Sequence, residues 1–332
     1  MPLLLDWRTA AEPAELIKLV ANALHQGERV GIPSDTGYVI MGRPESLQII
    51  PGSGAIFGRD ASDLEPWTGA LGLPTKRILD RLWPGPLGVI VEANDGPLRF
   101  RSPRHPLIDE IARSIDFPLA FGENSCESVE GLGESPAVIV DAGPLKQSSP
   151  TWINVVRSDW RVESMGAISE RELRRAAARW IVFVCTGNTC RSPMAEAIAK
   201  SLLAERLGCR IDELLERGYR LFSAGVSAYP GDAASPEAVE VVQEWNGDLG
   251  EHRSRLLAVE DVARADDLIA MTRSHLLAVL TRYPMIGGSL RLLCGNEGDL
   301  EDPIGAGREV YTACARRIHR SLNRIFQETV RS

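Results

Sequence analysis

The chain of 332 residues has 37 Lys and Arg against 45 Asp and Glu, a formal net charge of −8, so no overall basic field argues for nucleic-acid binding. Its length favours two domains, each burying its own core. Six cysteines without regular spacing, no leader-like segment and no apolar run long enough to span a bilayer predict a cytoplasmic protein with reduced thiols and no membrane partner. In chain order, Ala14 to Gln26 puts Leu16, Ile17, Val20, Ala23 and Leu24 on one helical face, Gly27 stops it, and Val30 to Pro33 follows as a strand. Further strands are predicted at Leu87 to Glu92, Pro118 to Phe121, Val138 to Asp141 and Trp152 to Val156, which makes residues 1–168 an α/β domain. Residues 169–178 are charged and alanine-rich with strong helix propensity, and predict a short helical connector. A second domain is expected over 179–332.

That domain opens on Trp180-Ile181-Val182-Phe183-Val184, a continuous apolar run that reads as a strand buried on both faces. Cys185-Thr186-Gly187-Asn188-Thr189-Cys190-Arg191-Ser192 follows. Beyond Pro193, Met194, Ala195, Ile198, Ala199, Leu202, Leu203 and Leu207 recur at helical spacing up to Gly208. The loop therefore joins a strand's carboxyl end to a helix's amino terminus, where backbone N–H groups and the helix field favour an anion. Gly187 is expected to supply the positive dihedral such a nest needs. The helix terminus and a nearby guanidinium favour the thiolate of Cys185, Arg191 can offer a planar fork to two phosphoryl oxygens, and Ser192 is placed to donate to the thiolate. The competing readings of Cys185 and Cys190 are packing residues or a metal pair. A four-residue gap without histidine is poor zinc spacing, so no metal is expected. Cys126, Cys209, Cys314 and the scattered tryptophans read as packing residues, and Val310 to Val330 as a closing helix carrying Ala313, Ile318, Leu322 and Ile325 inward.

The loop, and the order of motifs after it, resembles the low-molecular-weight protein phosphatase family. Tyr219 to Gly225 is similar to that family's second strand and Ser-Ala-Gly turn, Ala265 to Thr272 to its third strand, and Glu301-Asp302-Pro303 to its general-acid loop. The resemblance implies a doubly wound parallel sheet, Cys185 as nucleophile, Arg191 as phosphoryl binder, Asp302 as proton donor, Ser223 behind the loop, no cofactor, and a phosphorylated protein as substrate. Displacement of a phosphoryl group onto sulfur needs those three tasks covered in any case. Asp302 alone would read as a turn aspartate before proline. Thr189 stands where the tyrosine-specific branch carries isoleucine, and Thr-Gly-Asn-Thr resembles the arginine-phosphatase branch. Ile304 stands where an aromatic residue is common in both.

Residues 1–168 resemble the threonylcarbamoyl-adenylate synthase family through Gly27 to Tyr38, Trp83 to Leu87, Arg101 to Pro106, Pro118 to Ala120 and Gly166 to Ile168. The resemblance implies ATP and Mg, a link to tRNA modification with double-stranded RNA binding, and a nucleotide and threonine site at Thr36, Arg59, Arg101 and Asn124. Two departures bear on the chemistry. Phe57 stands where the family's phosphate-neutralising lysine belongs, and Gly122-Glu123-Asn124 replaces Ser-Ala-Asn, removing a hydroxyl and adding an acid. Both weaken triphosphate binding. The expectation is a phosphatase fused to a diverged nucleotide-binding domain. The alternatives are a bifunctional enzyme that also makes threonylcarbamoyl-adenylate, and an arsenate reductase, for which Cys294 lacks a second cysteine.

Overall fold

In the computed structural model, which describes residues 1–10, 12–49, 52–133, 135–156, 159–284, 286 and 289–329, the chain divides between Ala177 and Ala178 into two units. Unit 1 builds a ten-stranded sheet from β1 (Leu3–Asp6), β2 (Val30–Ser34), β3 (Gly37–Gly42), β4 (Ala55–Phe57), β5 (Leu87–Ala93), β6 (Gly96–Arg101), β7 (Ala120–Cys126), β8 (Val138–Asp141), β9 (Thr151–Val156) and β10 (Asp159–Ser164). Their spatial order is β1-β8-β2-β3-β7-β4-β6-β5-β9-β10. Helices α1 (Pro13–His25), α2 (Glu65–Thr68), α3 (Leu73–Leu82), α4 (Pro106–Ser114) and α5 (Glu170–Ala177) complete it. The apolar stripe of α1, at Leu16, Val20, Ala23 and Leu24, packs with Leu107, Ile108 and Ile111 of α4 over Val30, Ile32, Val39 and Met41. A second cluster joins Ile78 and Leu79 to Leu87, Val89, Phe100 and Ile153.

The segment expected as a connector belongs to this second cluster. Leu173, Ala176 and Ala177 of α5 lie at i, i+3 and i+4, and all three are buried in it. Arg81 of α3 adds a bond from Nη1 to the Ala176 carbonyl at 2.6 Å. A charged, alanine-rich helix with one narrow apolar stripe is stable only when that stripe is covered, and unit 1 covers it. Upstream, the buried Thr151 hydroxyl ties down the Gly166 to Ile168 stretch, accepting from the Gly166 and Ile168 amides and donating to the Ile168 carbonyl at 2.7 Å.

Unit 2 carries β11 (Arg179–Cys185), β12 (Tyr219–Gly225), β13 (Asp267–Ala270) and β14 (Ser289–Leu292) in the order β12-β11-β13-β14, all parallel. Its helices are α6 (Arg191–Leu207), α7 (Pro236–Val242), α8 (Val259–Arg264), α9 (Arg273–Arg282) and α10 (Arg308–Thr329). Alternation explains the apolar run in β11. Ile181 and Phe183 face a cluster with Met194, Ile198 and Leu202 of α6 and Ile318 and Leu322 of α10, whereas Val182 and Val184 face Val262, Leu268 and Val279. Both faces of a parallel strand are thus buried, as its helical crossovers require. The chain leaves β11 toward β12 on one side and reaches β13 on the other, so strand order reverses at the carboxyl end of β11. Open sheets of this kind hold ligands at that point. Gly208 ends α6 in the left-handed region at φ 60°. The closing helix runs near its expected bounds, with Val330 outside the described residues, and buries Ile318, Leu322 and Ile325, but Ala313 is exposed and Cys314 and Ala315 take the inward places next to it; the third strand is shorter than Ala265 to Thr272. Among the described residues no helix is long and apolar enough to cross a membrane, and no group of three or more His, Cys, Asp or Glu side chains could hold a metal.

Candidate active site

Cys185 ends β11 with 3% of its surface exposed, at the floor of the loop that leads into α6. Its sulfur lies 2.9 Å from Ser192 Oγ and takes the Asn188 backbone N–H at 3.3 Å. The left-handed residue of the loop is Asn188, at φ 57°, and not Gly187 as expected. Asparagine tolerates that region because its short amide can bond locally, and here the amide is fully buried and used throughout. Nδ2 donates to Ser192 Oγ at 3.0 Å and to Ser223 Oγ at 2.9 Å, Oδ1 accepts from the Arg255 amide at 2.9 Å, and the Asn188 carbonyl lies 2.8 Å from His252 Nε2.

These bonds have a direction. Ser223 Oγ donates to Glu196 Oε2 at 2.7 Å, so its lone pairs are left for Asn188. Asn188 Nδ2 in turn donates to Ser192 Oγ, which leaves the Ser192 proton for Cys185 Sγ at 2.9 Å or the Ala224 carbonyl at 3.5 Å. The network thus sets the Ser192 hydroxyl and the Asn188 amide against the sulfur. The turn after β12 supports the loop from below. Ser227 and Val226 amides bond to the Thr186 and Cys185 carbonyls at 3.1 and 2.9 Å, and a side chain at Gly225 would meet the Thr186 oxygen at 2.3 Å. Glycine is needed there for close approach.

Arg191 occupies the first turn of α6 with 7% of its surface exposed. Its Nη2 pairs with Asp302 Oδ2 at 2.5 Å, and Asp302, 44% exposed, also takes the Ile304 amide on Oδ1. Two of the residues chosen from the sequence, Arg191 at the start of α6 and Asp302, 111 residues further on, thus come into direct contact. Thr189 is half-buried, with its hydroxyl 3.7 Å from Cys190 Sγ and its carbonyl bonded to the Ser235 amide. Cys190 Sγ lies 3.3 Å from the Tyr311 hydroxyl, and burial, followed by that bond, pushes the tyrosine up to about 12. All six cysteines are free thiols.

Three participants carry no sequence signal of their own. Glu196 reads as one helical acid among many. His252 lies in a recognisable stretch, yet nothing in its spacing shows that it bonds the Asn188 carbonyl. His275, 4% exposed, sits 2.8 Å from Thr186 Oγ1 through Nε2 and 2.8 Å from Thr272 Oγ1 through Nδ1.

The residues singled out in unit 1 separate into different places. Thr36 and Arg101 meet, with Nη2 donating to the threonine hydroxyl at 3.1 Å, and Arg101 lines a cavity of about 380 Å³ with Arg99, Glu123 and Trp152. Asp35 lies 3.6 Å from Arg101, and burial pushes its carboxyl up and the guanidinium down. Arg59 is instead exposed, pairs with Asp63, and lines a separate cavity of about 430 Å³ with Phe57 and Trp67. Asn124 is exposed on β7.

Residues 180–332 match the family of the low molecular weight phosphotyrosine protein phosphatases. The protein-arginine-phosphatase of Bacillus subtilis is 39% identical over 135 residues, which cover 40% of this chain and 83% of that protein. Its counterpart from Geobacillus stearothermophilus is 34% identical over 45% of this chain and 94% of its own length. The low molecular weight protein-tyrosine-phosphatase PtpB of Staphylococcus epidermidis is 34% identical over 44% and 95%.

Proposed function

The chain belongs to the low molecular weight phosphotyrosine protein phosphatase family through its carboxyl-terminal half, and from that premise we propose that it is a protein phosphatase preferring phosphoarginine and working through a phosphocysteine. Cys185 attacks phosphorus in line, the bond to the side-chain nitrogen breaks, and Asp302 gives that nitrogen a proton so that a guanidinium leaves. Water, deprotonated by the same carboxylate, then displaces sulfur and releases phosphate. Engagement of Arg191 with the phosphoryl oxygens competes with its pairing to Asp302, which frees the acid for the leaving atom. Thr189, beside Cys190 on the loop, carries the choice of substrate. A small polar side chain there leaves room for a flat, charged guanidinium group, whereas isoleucine would favour a phenyl ring by apolar contact. Two of the three relatives above are named for phosphoarginine, which supports the same reading. Thr189→Ile should therefore shift the ratio of kcat/KM values toward phosphotyrosine peptides by roughly 1–3 kcal/mol, the range for one pocket contact. An unchanged ratio would remove Thr189 as the determinant.

For unit 1 the reading that fits the geometry is a diverged ligand-binding role and not full synthesis of threonylcarbamoyl-adenylate. The contact of Thr36 with the buried Arg101 supports a retained binding site. ATP with Mg fits it poorly: Phe57 packs edge-on to Phe121 at 6.1 Å, Arg59 turns to Asp63, and the Glu123 carboxylate holds both Arg99 Nη1 and the Gly54 amide. An acid in an anion's position repels phosphate at short range. Full-length protein given ATP, threonine and bicarbonate should release no pyrophosphate above background. Threonine-dependent release would instead make the chain a bifunctional enzyme.

A further inference from the structure

We propose that His275 is a positioning residue for the phosphoryl site, fixing the first residue of the loop by holding the Thr186 hydroxyl. The inference rests on the reading of that loop as the phosphoryl cradle. Thr186 follows the nucleophile directly and is exposed, yet its Oγ1 reaches inward to the buried His275 Nε2 at 2.8 Å. The far side of the ring is held as well, since Nδ1 lies 2.8 Å from Thr272 Oγ1, the cap of α9, which also takes the His275 amide. A buried imidazole with both nitrogens engaged is locked in rotamer and tilt.

What the lock controls is a peptide plane. The Thr186 carbonyl is bonded to the Ser227 amide at 3.1 Å, so in a trans peptide the Gly187 N–H points the opposite way, into the loop. Rotation of that plane would present a carbonyl to a phosphoryl oxygen in place of a donor, which reverses the sign of the contact. Two grips oppose the rotation: Ser227 on the carbonyl, and His275 on the side chain of the same residue. The electrostatics suit a neutral ring in this role. Burial and then the neighbouring Arg191 charge push the imidazole down to about 4, while Asp302 and Asp299 pull the other way. One nitrogen therefore donates and the other accepts across the neutral range, and the ring adds no charge to compete with Arg191 for the phosphoryl group. No contact of His275 with the sulfur or with Asp302 is needed; it acts through Thr186.

The test compares wild type, Thr186→Val, His275→Leu, His275→Gln and the Thr186→Val/His275→Leu pair in full-length protein, with p-nitrophenyl phosphate as substrate and inorganic phosphate as competitive inhibitor. Thr186→Val and His275→Leu should each lower kcat/KM about tenfold and weaken phosphate inhibition by a similar factor, with the pair no worse than either single change. Glutamine can place an amide nitrogen near the position of Nε2, so His275→Gln should stay within about threefold of wild type. Losses that multiply in the pair, or a Thr186→Val enzyme with unchanged turnover and phosphate inhibition, would overturn the proposal. Should His275→Leu fail to fold, Thr186→Val decides alone, because that side chain is exposed. A wild-type enzyme without turnover on the aryl phosphate would instead sink the phosphatase reading itself.

Discussion

Cys185→Ser should lose at least about 10⁴-fold in kcat, the scale on which removal of an attacking nucleophile is felt, while inorganic phosphate still binds. The sulfur sits against Ser192 Oγ at 2.9 Å and the Asn188 amide at 3.3 Å, and a serine oxygen in its place is a far weaker nucleophile. The oxygen of the variant would be the right size for the site and would find the same two partners, so folding should survive. Arg191 and the loop amides that hold phosphate are untouched. Turnover above about one hundredth of wild type would assign the nucleophile elsewhere.

Asp302→Asn should give the second-largest loss, and its size should depend on what is leaving. General acid assistance contributes about 10²–10⁴-fold where the departing atom is a poor leaving group, and little where it is activated. Formation of the phosphoenzyme, followed in single turnovers across a series of aryl phosphates, should show a steeper dependence on leaving-group basicity in the variant than in wild type. The pair with Arg191 complicates the comparison only modestly, because Asp302 is 44% exposed and water screens it. Equal losses for activated and unactivated substrates would mean that Asp302 acts by holding Arg191 and not by giving a proton.

The catalytic half was legible in the sequence because its chemistry is local. A both-faces-buried strand, a loop and a helix stop at Gly208 are read from consecutive residues, and Arg191 reaches Asp302. What escaped was set by distant contacts. The left-handed residue is Asn188 because its amide is consumed by Ser192, Ser223 and Arg255, partners up to 67 residues away, and glycine next to it looked the simpler choice. His275 resembles any helix-start histidine until α9 is packed against the loop. The ten-stranded unit was read less completely. β4 has three residues, too few to show a period, and β10 alternates on an exposed edge with charges at every second place. β7 was expected at Pro118 to Phe121 and runs instead from Ala120 to Cys126, through Gly122-Glu123-Asn124, a stretch with little strand propensity that lies at an irregularity in the pairing with β3, between partners at Ala120 and Phe121 on one side and Ser125 and Cys126 on the other. The connector over 169–178 looked free-standing because its apolar stripe is only Leu173, Ala176 and Ala177, and nothing in it announces the cluster that buries them.

The phosphoarginine preference is tested most directly by kcat/KM measured side by side on two peptides of one sequence, one carrying phosphoarginine and the other phosphotyrosine at the same position. The geometry of the loop around Thr189 predicts the higher value for the phosphoarginine peptide, with the gap narrowing in Thr189→Ile. A higher value for phosphotyrosine in the wild-type enzyme would contradict it.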